Sequence, residues 1–567
     1  MPGPSLKNRA LLNRREAMLL SATAGMRLAM SKQASASGGV ETGVHQQQPG
    51  NCSTPRTAVA NTQYGKVRGF VDGGVFTFKG IPYGQNTGGE NRWLPAKPPV
   101  PWKDEYPALI YGANCPQSLH NYRAIEQSFL QDWDDGYMSE DMLKLNIWTP
   151  SLTGQRPVMF YIHGGIFQFG SSYELPSHEG AQMARHHDVV QVSVNHRLNA
   201  LGFLDVSEIG GDGYEDSVNV GMTDLVAALR WVQENISNFG GDPNKVMIYG
   251  QSGGASKVTT LLGMPSAKGL IHRASVQSGG GGNYPSGEES REFARQIVKE
   301  LGIAPNDIGA LQKMDWSRLY AAGNKVAAKG SAAAMGGASL LFVTSGIGKE
   351  QHFGWTPTVD GRVITTRAFS DGAPEISKDV PMLMGSVSEE NMQFSFNPDE
   401  AQWLSTLGGA VGEDKAARLL AAMKKTYPEK SVRQLFYRLG GLGGRNHVQQ
   451  IAKMKYDLHA APVYQYYFTW QTPMLDAVGG AWHTAELAFC FDNTKRCEQG
   501  TGNTPEAQAL AKKMATAWSN FARTGNPSQP GLTWDPAEPG RGQTMVWDNE
   551  CSMVDDPESE LRKILLN

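Results

Sequence analysis

Short apolar runs alternate with segments of helical spacing from Arg156 onward. The runs PVMFYIHGG and VVQVSVNHR are continuous in apolar residues and predict buried strands. Between the second run and a third, VMIY, the segment TDLVAALRWVQENI repeats apolar residues at the spacing of a helix face. This alternation of strand and helix predicts an α/β fold with a parallel sheet covered on both faces.

The flanking segments extend this prediction without adding a second domain. Upstream, YGKVRGF, VFTFKGIPY and LKLNIWTP have the pattern of antiparallel leading strands. Residues 286–354 and 401–458 are mostly helical in pattern, and the first of these stretches is rich in alanine and glycine. Because no linker separates these stretches, we expect a single domain over residues 56–567 with helical insertions.

Residues 1–36 have the layout of a bacterial export signal. Arg14 and Arg15 precede a short apolar segment over residues 17–26, and small residues suit cleavage after Ala36. The paired arginines are typical of twin-arginine signals, although Glu16 follows them directly and Arg27 interrupts the apolar segment. We therefore expect a periplasmic or secreted protein with a flexible leader over residues 37–55. The alternative is a disordered basic tail on a cytoplasmic protein.

Composition excludes some partners. The 567 residues are 40% hydrophobic, carry a net charge of −3 and show no basic stripe, which argues against nucleic-acid binding. Beyond the N-terminus no apolar run is long enough to span a membrane. Five cysteines match no zinc spacing, and Cys490 and Cys497 are the only pair close enough in sequence to suggest a disulfide. The oligomeric state stays open.

The third apolar run ends in a candidate nucleophile. VMIYGQSGGASK places Ser252 in a G-x-S-x-G sequence, which turns a strand sharply into a helix and exposes the serine hydroxyl at the apex. A glycine-rich loop with a solvent-facing serine is the alternative in a chain of 65 glycines. A second glycine-bearing strand end, HGGIF, could supply backbone N–H groups for an oxyanion.

A nucleophilic serine needs a histidine and a carboxylate. In α/β folds with a serine turn of this kind, both follow the serine in chain order. His483, in the glycine-rich segment GGAWHTAEL, is the best-placed histidine after Ser252. Glu389 and Glu390 follow an apolar strand over residues 380–384 and a glycine, and either could be the acid. For a single glutamate, ordinary surface exposure is the competing interpretation.

Several longer motifs resemble those of one family. FKGIPYG, SEDMLKLNIWTP, NHRLNALGFL, FGGDPNKVMIYGQSGGA, ASVQSG, PTVDG and WSNFARTGNP stand in the order found in type-B carboxylesterases and their cholinesterase-like relatives. The resemblance covers residues 61–557. It implies the α/β-hydrolase fold, with a large, mixed and mostly parallel central sheet, helices on both faces and helical insertions.

The resemblance also implies roles for individual residues. Ser252 matches the nucleophile, His483 the base and Glu390 the acid of the triad. The oxyanion donors would be the N–H groups of Gly165, Ile166 and Gly253, with Gly164 permitting close approach, and Ser278 matches a serine beside the triad. Arg92 and Glu140 match an ion pair near the leading segment.

Four departures from the family pattern change these expectations. Met142 stands where a cysteine is usual, which leaves Cys115 without its partner. Ile166 replaces a third glycine and should crowd the pocket, and Gln251 replaces a glutamate and removes a negative charge. Asn391 replaces the glycine after the acid, so Glu389 remains an alternative to Glu390.

These expectations together describe a serine carboxylic-ester hydrolase that acts on small to medium small-molecule esters through an acyl-enzyme. This chemistry requires no metal or organic cofactor. A cholinesterase-like enzyme is one alternative, with Trp133 as a cation site flanked by Asp132, Asp134 and Asp135. An amide or lipid-ester hydrolase, or a non-catalytic binding module of the same fold, are the others.

Overall fold

The described residues form a large mixed sheet of eleven strands. The computed structural model describes residues 57–118, 125–331, 354–390 and 397–566. The expected export signal and leader, Cys52 and Asn391 lie outside the described residues. The described strands are, in chain order, β1 (Val59–Thr62), β2 (Gly65–Arg68), β3 (Phe70–Asp72), β4 (Val75–Pro82), β5 (Tyr106–Pro107), β6 (Lys144–Thr149), β7 (Arg156–Ile162), β8 (Val190–Val194), β9 (Gly241–Gln251), β10 (Arg273–Gln277), β11 (Met382–Val387), β12 (Val463–Phe468), β13 (Gln543–Trp547) and β14 (Ser552–Asp555).

Helices connect most of the parallel strands and form the insertions. The described α-helices are α1 (Ile125–Gln131), α2 (Ala181–His187), α3 (Asn199–Gly202), α4 (Ser207–Gly210), α5 (Val220–Asn235), α6 (Gly253–Gly263), α7 (Gly287–Leu301), α8 (Ile308–Lys313), α9 (Trp316–Ser331), α10 (Glu400–Val411), α11 (Glu413–Thr426), α12 (Val432–Tyr456), α13 (Leu487–Cys490), α14 (Glu498–Thr501), α15 (Pro505–Thr524) and α16 (Ser559–Leu566). Among the described residues, no helix is long and apolar enough to cross a membrane.

The large sheet has the strand order β14-β13-β12-β11-β10-β9-β7-β8-β6-β4-β3. Strands β8, β7, β9, β10, β11, β12 and β13 pair in parallel. The pairs at both edges are antiparallel. Strands β1, β2 and β5 form a separate small sheet. The mixed, mostly parallel sheet expected from the sequence is therefore confirmed.

Burial on both faces explains why the central strands are continuous in apolar residues. Along β7, Val158, Phe160 and Ile162 belong to one hydrophobic core, while Met159 and Tyr161 belong to the core on the other face. Successive side chains of a strand point to opposite faces of the sheet, so a strand covered on both sides has no polar face to expose.

Three local expectations differ from the structure. The segment YGKVRGF divides between the small sheet, through β2, and the large sheet, through β3. Strand β11 continues through Gly385 to Val387 rather than ending at the glycine. The disulfide that the spacing of Cys490 and Cys497 suggested is absent, and both cysteines are separate buried thiols. The two segments expected to be helical hold α7–α9 and α10–α12, although residues 332–353 lie outside the described residues.

Candidate active site

The carboxyl ends of the parallel strands bring the candidate residues to one edge of the sheet. Ser252 follows β9, the HGGIF loop follows β7, and the two candidate glutamates lie just beyond β11. In open α/β sheets, ligands bind outside this edge. The order of the strands therefore places a loop of N–H donors on one side of the serine and the glutamates two strands away on the other.

Ser252 has a backbone conformation that few residues adopt. Its φ and ψ are 58° and −123°, and α6 begins at the next residue. The Ser252 N–H donates to the carbonyl of Gln277 on the neighbouring strand at 2.8 Å, which holds the turn in place. A non-glycine residue in this region costs roughly 1–3 kcal/mol, a strain that is concentrated at functional sites.

The loop after β7 packs closely against this turn. A Cβ atom on Gly253 would lie 2.5 Å from the backbone nitrogen of Ile166, so only glycine allows this approach. Gly165 has φ +85°, and a Cβ there would collide with the carbonyl of Phe169. A Cβ on Gly164 would lie 3.5 Å from that of Ser252. The three candidate oxyanion donors thus belong to two backbone segments in close contact.

Ile166 is strained and exposed. Its φ is 44°, and Phe167 follows with φ 61°, so two side-chain-bearing residues continue the left-handed turn that Gly165 begins. The left-handed region is especially unfavourable for a β-branched residue. The Ile166 side chain is 54% exposed, unlike those in the core below it. Its bulk therefore lies on the surface beside the candidate oxyanion site and not in the interior.

Backbone pairing between the two residues that precede Glu390 and His483 brings those side chains together. Glu389 and Trp482 form an isolated parallel bridge, and the Glu389 N–H donates to the carbonyl of Ala481 at 3.2 Å. The residues that follow therefore stand side by side. Oε2 of Glu390 lies 2.5 Å from Nδ1 of His483, and Oε1 accepts from the backbone N–H of Val387.

Glu389 faces a different set of partners. Its side chain is 1% exposed and is paired with Arg438 at 2.9 Å and with Lys430 at 3.6 Å. Oε2 of Glu389 also accepts from the Ala481 N–H at 2.9 Å. Burial alone would raise the pKa of this carboxyl, but the charges of Arg438 and Lys430 and the hydrogen bonds outweigh it and hold the pKa below its usual value. Glu389 therefore remains a buried carboxylate held by cations, away from the histidine ring.

Gln251 contacts the same imidazole. Its amide nitrogen lies 3.1 Å from Nε2 and 3.4 Å from Nδ1 of His483. The two ring nitrogens point in different directions, so an atom within reach of both lies over the face of the ring. The Gln251 side chain is buried and thus supports the imidazole without placing a charge beside it.

A second carboxyl lies behind the histidine. Burial, with a contribution from the charge of Glu390, raises the pKa of Glu486 to about 8, although His483 opposes this. Burial thus favours the protonated form of this carboxyl. One of its oxygens lies 3.5 Å from the hydroxyl of Ser278, which has φ 50°. Ser278 thus lies near the candidate triad, as the resemblance implies.

Sequence reasoning missed a buried lysine next to the elbow. Lys257, on α6, is fully buried, and its ammonium donates to the carbonyls of His163 at 2.9 Å and Gly164 at 3.1 Å. Burial lowers the pKa of Lys257 to about 7, while the carboxyl of Glu174 opposes the shift. A signal was present in the sequence, because the helix after such an elbow is packed on most sides and a lysine inside it must find partners.

Three further expectations from the sequence concern Arg92 with Glu140, Cys115 and Trp133. Arg92 and Glu140 form the expected ion pair, with two hydrogen bonds at 2.5 and 2.7 Å. Cys115 is a buried free thiol. Trp133 packs edge-on against Phe169, with ring centroids 6.5 Å apart, and contacts the core. That packing favours a structural role for the tryptophan over a cation site.

A serine elbow at the carboxyl edge of such a sheet, with later loops folded over it, is the defining arrangement of the α/β-hydrolases, and this protein is one of them. Comparison with known proteins then gives the particular family. The chain belongs to the carboxylesterase family, whose model matches residues 56–562. It is a carboxylesterase, and the fold and enzyme class expected from the sequence are confirmed.

Individual relatives cover nearly the whole chain. The para-nitrobenzyl esterase of Bacillus subtilis (strain 168) is 32% identical over 514 residues, which are 89% of this chain and 98% of the relative. The phenmedipham hydrolase of Pseudarthrobacter oxydans is 32% identical over 488 residues, 83% of this chain and 90% of the relative. A solved esterase from anaerobic Clostridium hathewayi, described as able to hydrolyse aliphatic aromatic polyesters, is 33% identical with a TM-score of 0.77, and the match covers 91% of this chain and 99% of that one.

Proposed function

We propose that this carboxylesterase works through a covalent acyl-enzyme on Ser252, with His483 as the base and Glu390 as the carboxylate that orients it. The observation that carries the proposal is the 2.5 Å contact between Oε2 of Glu390 and Nδ1 of His483 beside the Ser252 elbow. A carboxylate at Nδ1 fixes the tautomer whose Nε2 is free of hydrogen, which is the form that can accept the serine proton.

The reaction then runs in two halves. Ser252 Oγ attacks the ester carbonyl while its proton moves to Nε2 of His483, and the oxyanion accepts hydrogen bonds from the N–H groups of Gly165, Ile166 and Gly253. His483 gives the proton to the leaving alcohol as the carbon–oxygen bond breaks. Water next attacks the acyl-enzyme, loses its proton to His483, and releases the acid as Ser252 regains a proton.

We infer that the substrates are small to medium esters with an unbranched acyl group. Ile166 supports this inference, because its exposed branched side chain adjoins the candidate oxyanion site. The name of one relative, the para-nitrobenzyl esterase, supports aromatic alcohol groups. A cholinesterase-like preference has less support, because Gln251 brings no negative charge and Trp133 packs on Phe169.

The direct test is a panel of p-nitrophenyl esters with wild type, Ser252→Ala and the matched control Ser256→Ala, one helical turn further along α6. We expect Ser252→Ala to lose at least about a thousandfold in kcat and all labelling by an organophosphonate. Ser256→Ala should retain both. Near-normal turnover by folded Ser252→Ala would rule out the proposed nucleophile.

We also propose that the chain is exported through its N-terminal signal, a proposal supported by Arg14 and Arg15 ahead of a short apolar segment. A reporter fused to residues 1–40 should leave the bacterial cytoplasm. The double substitution Arg14→Lys and Arg15→Lys should keep the reporter in the cytoplasm. Cytoplasmic retention of the unmodified fusion would refute export by this route.

A further inference from the structure

The buried lysine on α6 joins the nucleophile helix to the oxyanion loop. Lys257 lies five residues after Ser252. Among the described residues its ammonium bonds to two oxygens, the carbonyls of His163 and Gly164. Nδ1 of His163 lies 3.0 Å from the same Gly164 carbonyl. Burial lowers the pKa of His163 well below its usual value, so the ring is neutral and can donate from Nδ1.

These contacts determine the direction of a neighbouring N–H group. The carbonyl of Gly164 and the N–H of Gly165 belong to one planar trans peptide unit, so they point in opposite directions. A carbonyl held by two donors cannot rotate without breaking both bonds. The Gly165 N–H is therefore fixed on the side away from Lys257, and it is one of the three proposed oxyanion donors.

Lys257 also acts on the strength of that donor. An N–H donor at a carbonyl oxygen draws electron density through the amide, more strongly when the donor is charged, and hydrogen bonds in such a chain strengthen one another. The amine keeps this geometry in either protonation state, because a neutral amine still has two N–H bonds for the two carbonyls. Glu174, a carboxyl that interacts electrostatically with Lys257, is buried, and burial raises its pKa to about 8.

We propose that Lys257 is a positioning residue for the oxyanion site: by holding the His163 and Gly164 carbonyls, it orients and polarises the Gly165 N–H toward the reacting carbonyl oxygen. This inference rests on the proposed function, since it assumes that Ser252 generates an oxyanion there. It predicts that Lys257 acts on kcat and on the binding of oxyanion-like inhibitors rather than on substrate affinity.

The chain contains a matched control for this test. Lys455, on α12, is also buried and donates to two successive carbonyls, those of Ser377 and Lys378, each at 2.6 Å. Burial lowers its pKa to about 8. Those carbonyls precede β11, at the opposite end of the strand from Glu390. Lys455→Met therefore removes the same kind of clamp without touching the site.

The experiment compares Lys257→Met, Lys455→Met and Ser252→Ala. Two readings are taken from the folded proteins: kcat and KM for p-nitrophenyl butyrate, and the inhibition constant of an alkyl trifluoromethyl ketone, whose serine adduct carries an oxyanion. Loss of one oxyanion donor costs about 100- to 1,000-fold in kcat, so misorienting one should cost about 10- to 100-fold. For Lys257→Met we expect that fall in kcat, a KM within about threefold and a parallel weakening of the inhibitor.

Lys455→Met should lose thermal stability as Lys257→Met does, but keep wild-type kcat and inhibitor binding. The inference is overturned if Lys257→Met behaves in the same way. Should Lys257→Met fail to fold, Lys257→Gln replaces it, because its neutral donor sits on a shorter stem. A fall in kcat with weaker inhibitor binding in that variant supports the inference, and wild-type values for both overturn it. Active Ser252→Ala would refute the proposed function itself, whereas inactive Ser252→Ala with normal Lys257→Met would refute only the role of Lys257.

Discussion

Glu389 and Glu390 are neighbours in the chain, yet they occupy two different environments. Glu389 points into a cluster with Arg438 and Lys430, in which Arg438 also contacts Glu558 at 2.7 Å. Glu390 points the other way and contacts a single ring nitrogen of His483. One carboxylate is held by fixed cations, and the other is positioned to share a proton.

The difference shows how a buried ion cluster can serve a neighbouring reactive site. Both the backbone N–H and the carboxylate of Glu389 hold Ala481, two residues before His483. Gly480 permits this contact, because a Cβ there would lie 2.8 Å from the Glu389 carboxyl carbon. The cluster thus fixes the loop that carries the histidine, while Glu390 remains available for it. We expect the first region to act on stability and the second on rate.

The largest effect should come from Glu390→Gln. An amide cannot hold the required tautomer of His483, and the equivalent change in a serine triad lowers kcat by about 10⁴. The free energy of unfolding should change little, because Glu390 is not part of the buried cluster of Arg438 and Lys430. The measurement is kcat/KM for p-nitrophenyl butyrate together with the melting temperature, with Glu389→Gln as the paired variant. If Glu389→Gln is the more damaging to rate, the acid is Glu389.

Arg438→Met tests the other side of the comparison. It leaves Glu389 and Glu558 buried without their shared cation, and breaking a buried pair in this way costs about 3–5 kcal/mol. We expect that loss in the free energy of unfolding, measured by denaturant titration, with kcat per folded molecule within about tenfold of wild type. A fall in kcat as large as that of Glu390→Gln, at unchanged stability, would contradict the division of roles.

Ile166→Gly tests whether the side chain beside the reactive site limits the size of the ester. Removing the branched side chain should relieve crowding at the carbonyl, worth about tenfold in rate for bulky esters. The measurement is the ratio of kcat/KM for tert-butyl acetate to that for p-nitrophenyl butyrate, with Ile166→Leu as a bulk-retaining control. The ratio should rise in the glycine variant alone. An unchanged ratio would show that Ile166 does not select substrates.

The smallest effect concerns acid stability. The pKa of Glu389 is depressed in the folded protein, so its stabilisation is full above the ordinary glutamate pKa of about 4.3 and is lost as the pH falls below that value. Wild type should therefore lose more unfolding free energy than Glu389→Gln between pH 5 and 3, by at most about 1.4 kcal/mol for each pH unit. Equal slopes for the two proteins would show that Glu389 has no such depressed pKa.

The amino-acid sequence determined the features that depend on local pattern. Continuous apolar runs predicted β7 and β8, because strands buried on both faces have no polar side. G-x-S-x-G predicted the left-handed elbow at Ser252, because glycines on either side leave space for the turn. The order of the motifs gave the family, which the comparisons confirm. The roles of Ser252, His483 and Glu390 remain predictions.

Tertiary structure decided what depends on segments far apart in the chain. The sequence allowed either glutamate as the acid, and a backbone bridge between Glu389 and Trp482, 93 residues apart, determines that Glu390 is the one beside His483. Lys257 reaches its hydrogen-bond partners, the carbonyls of His163 and Gly164, only when the loop after β7 is folded against α6. Cys490 and Cys497 are close in sequence but remain separate thiols, because proximity along a chain does not set side-chain direction. Sequence spacing fixes which local element forms, whereas the packing of those elements fixes which atoms meet.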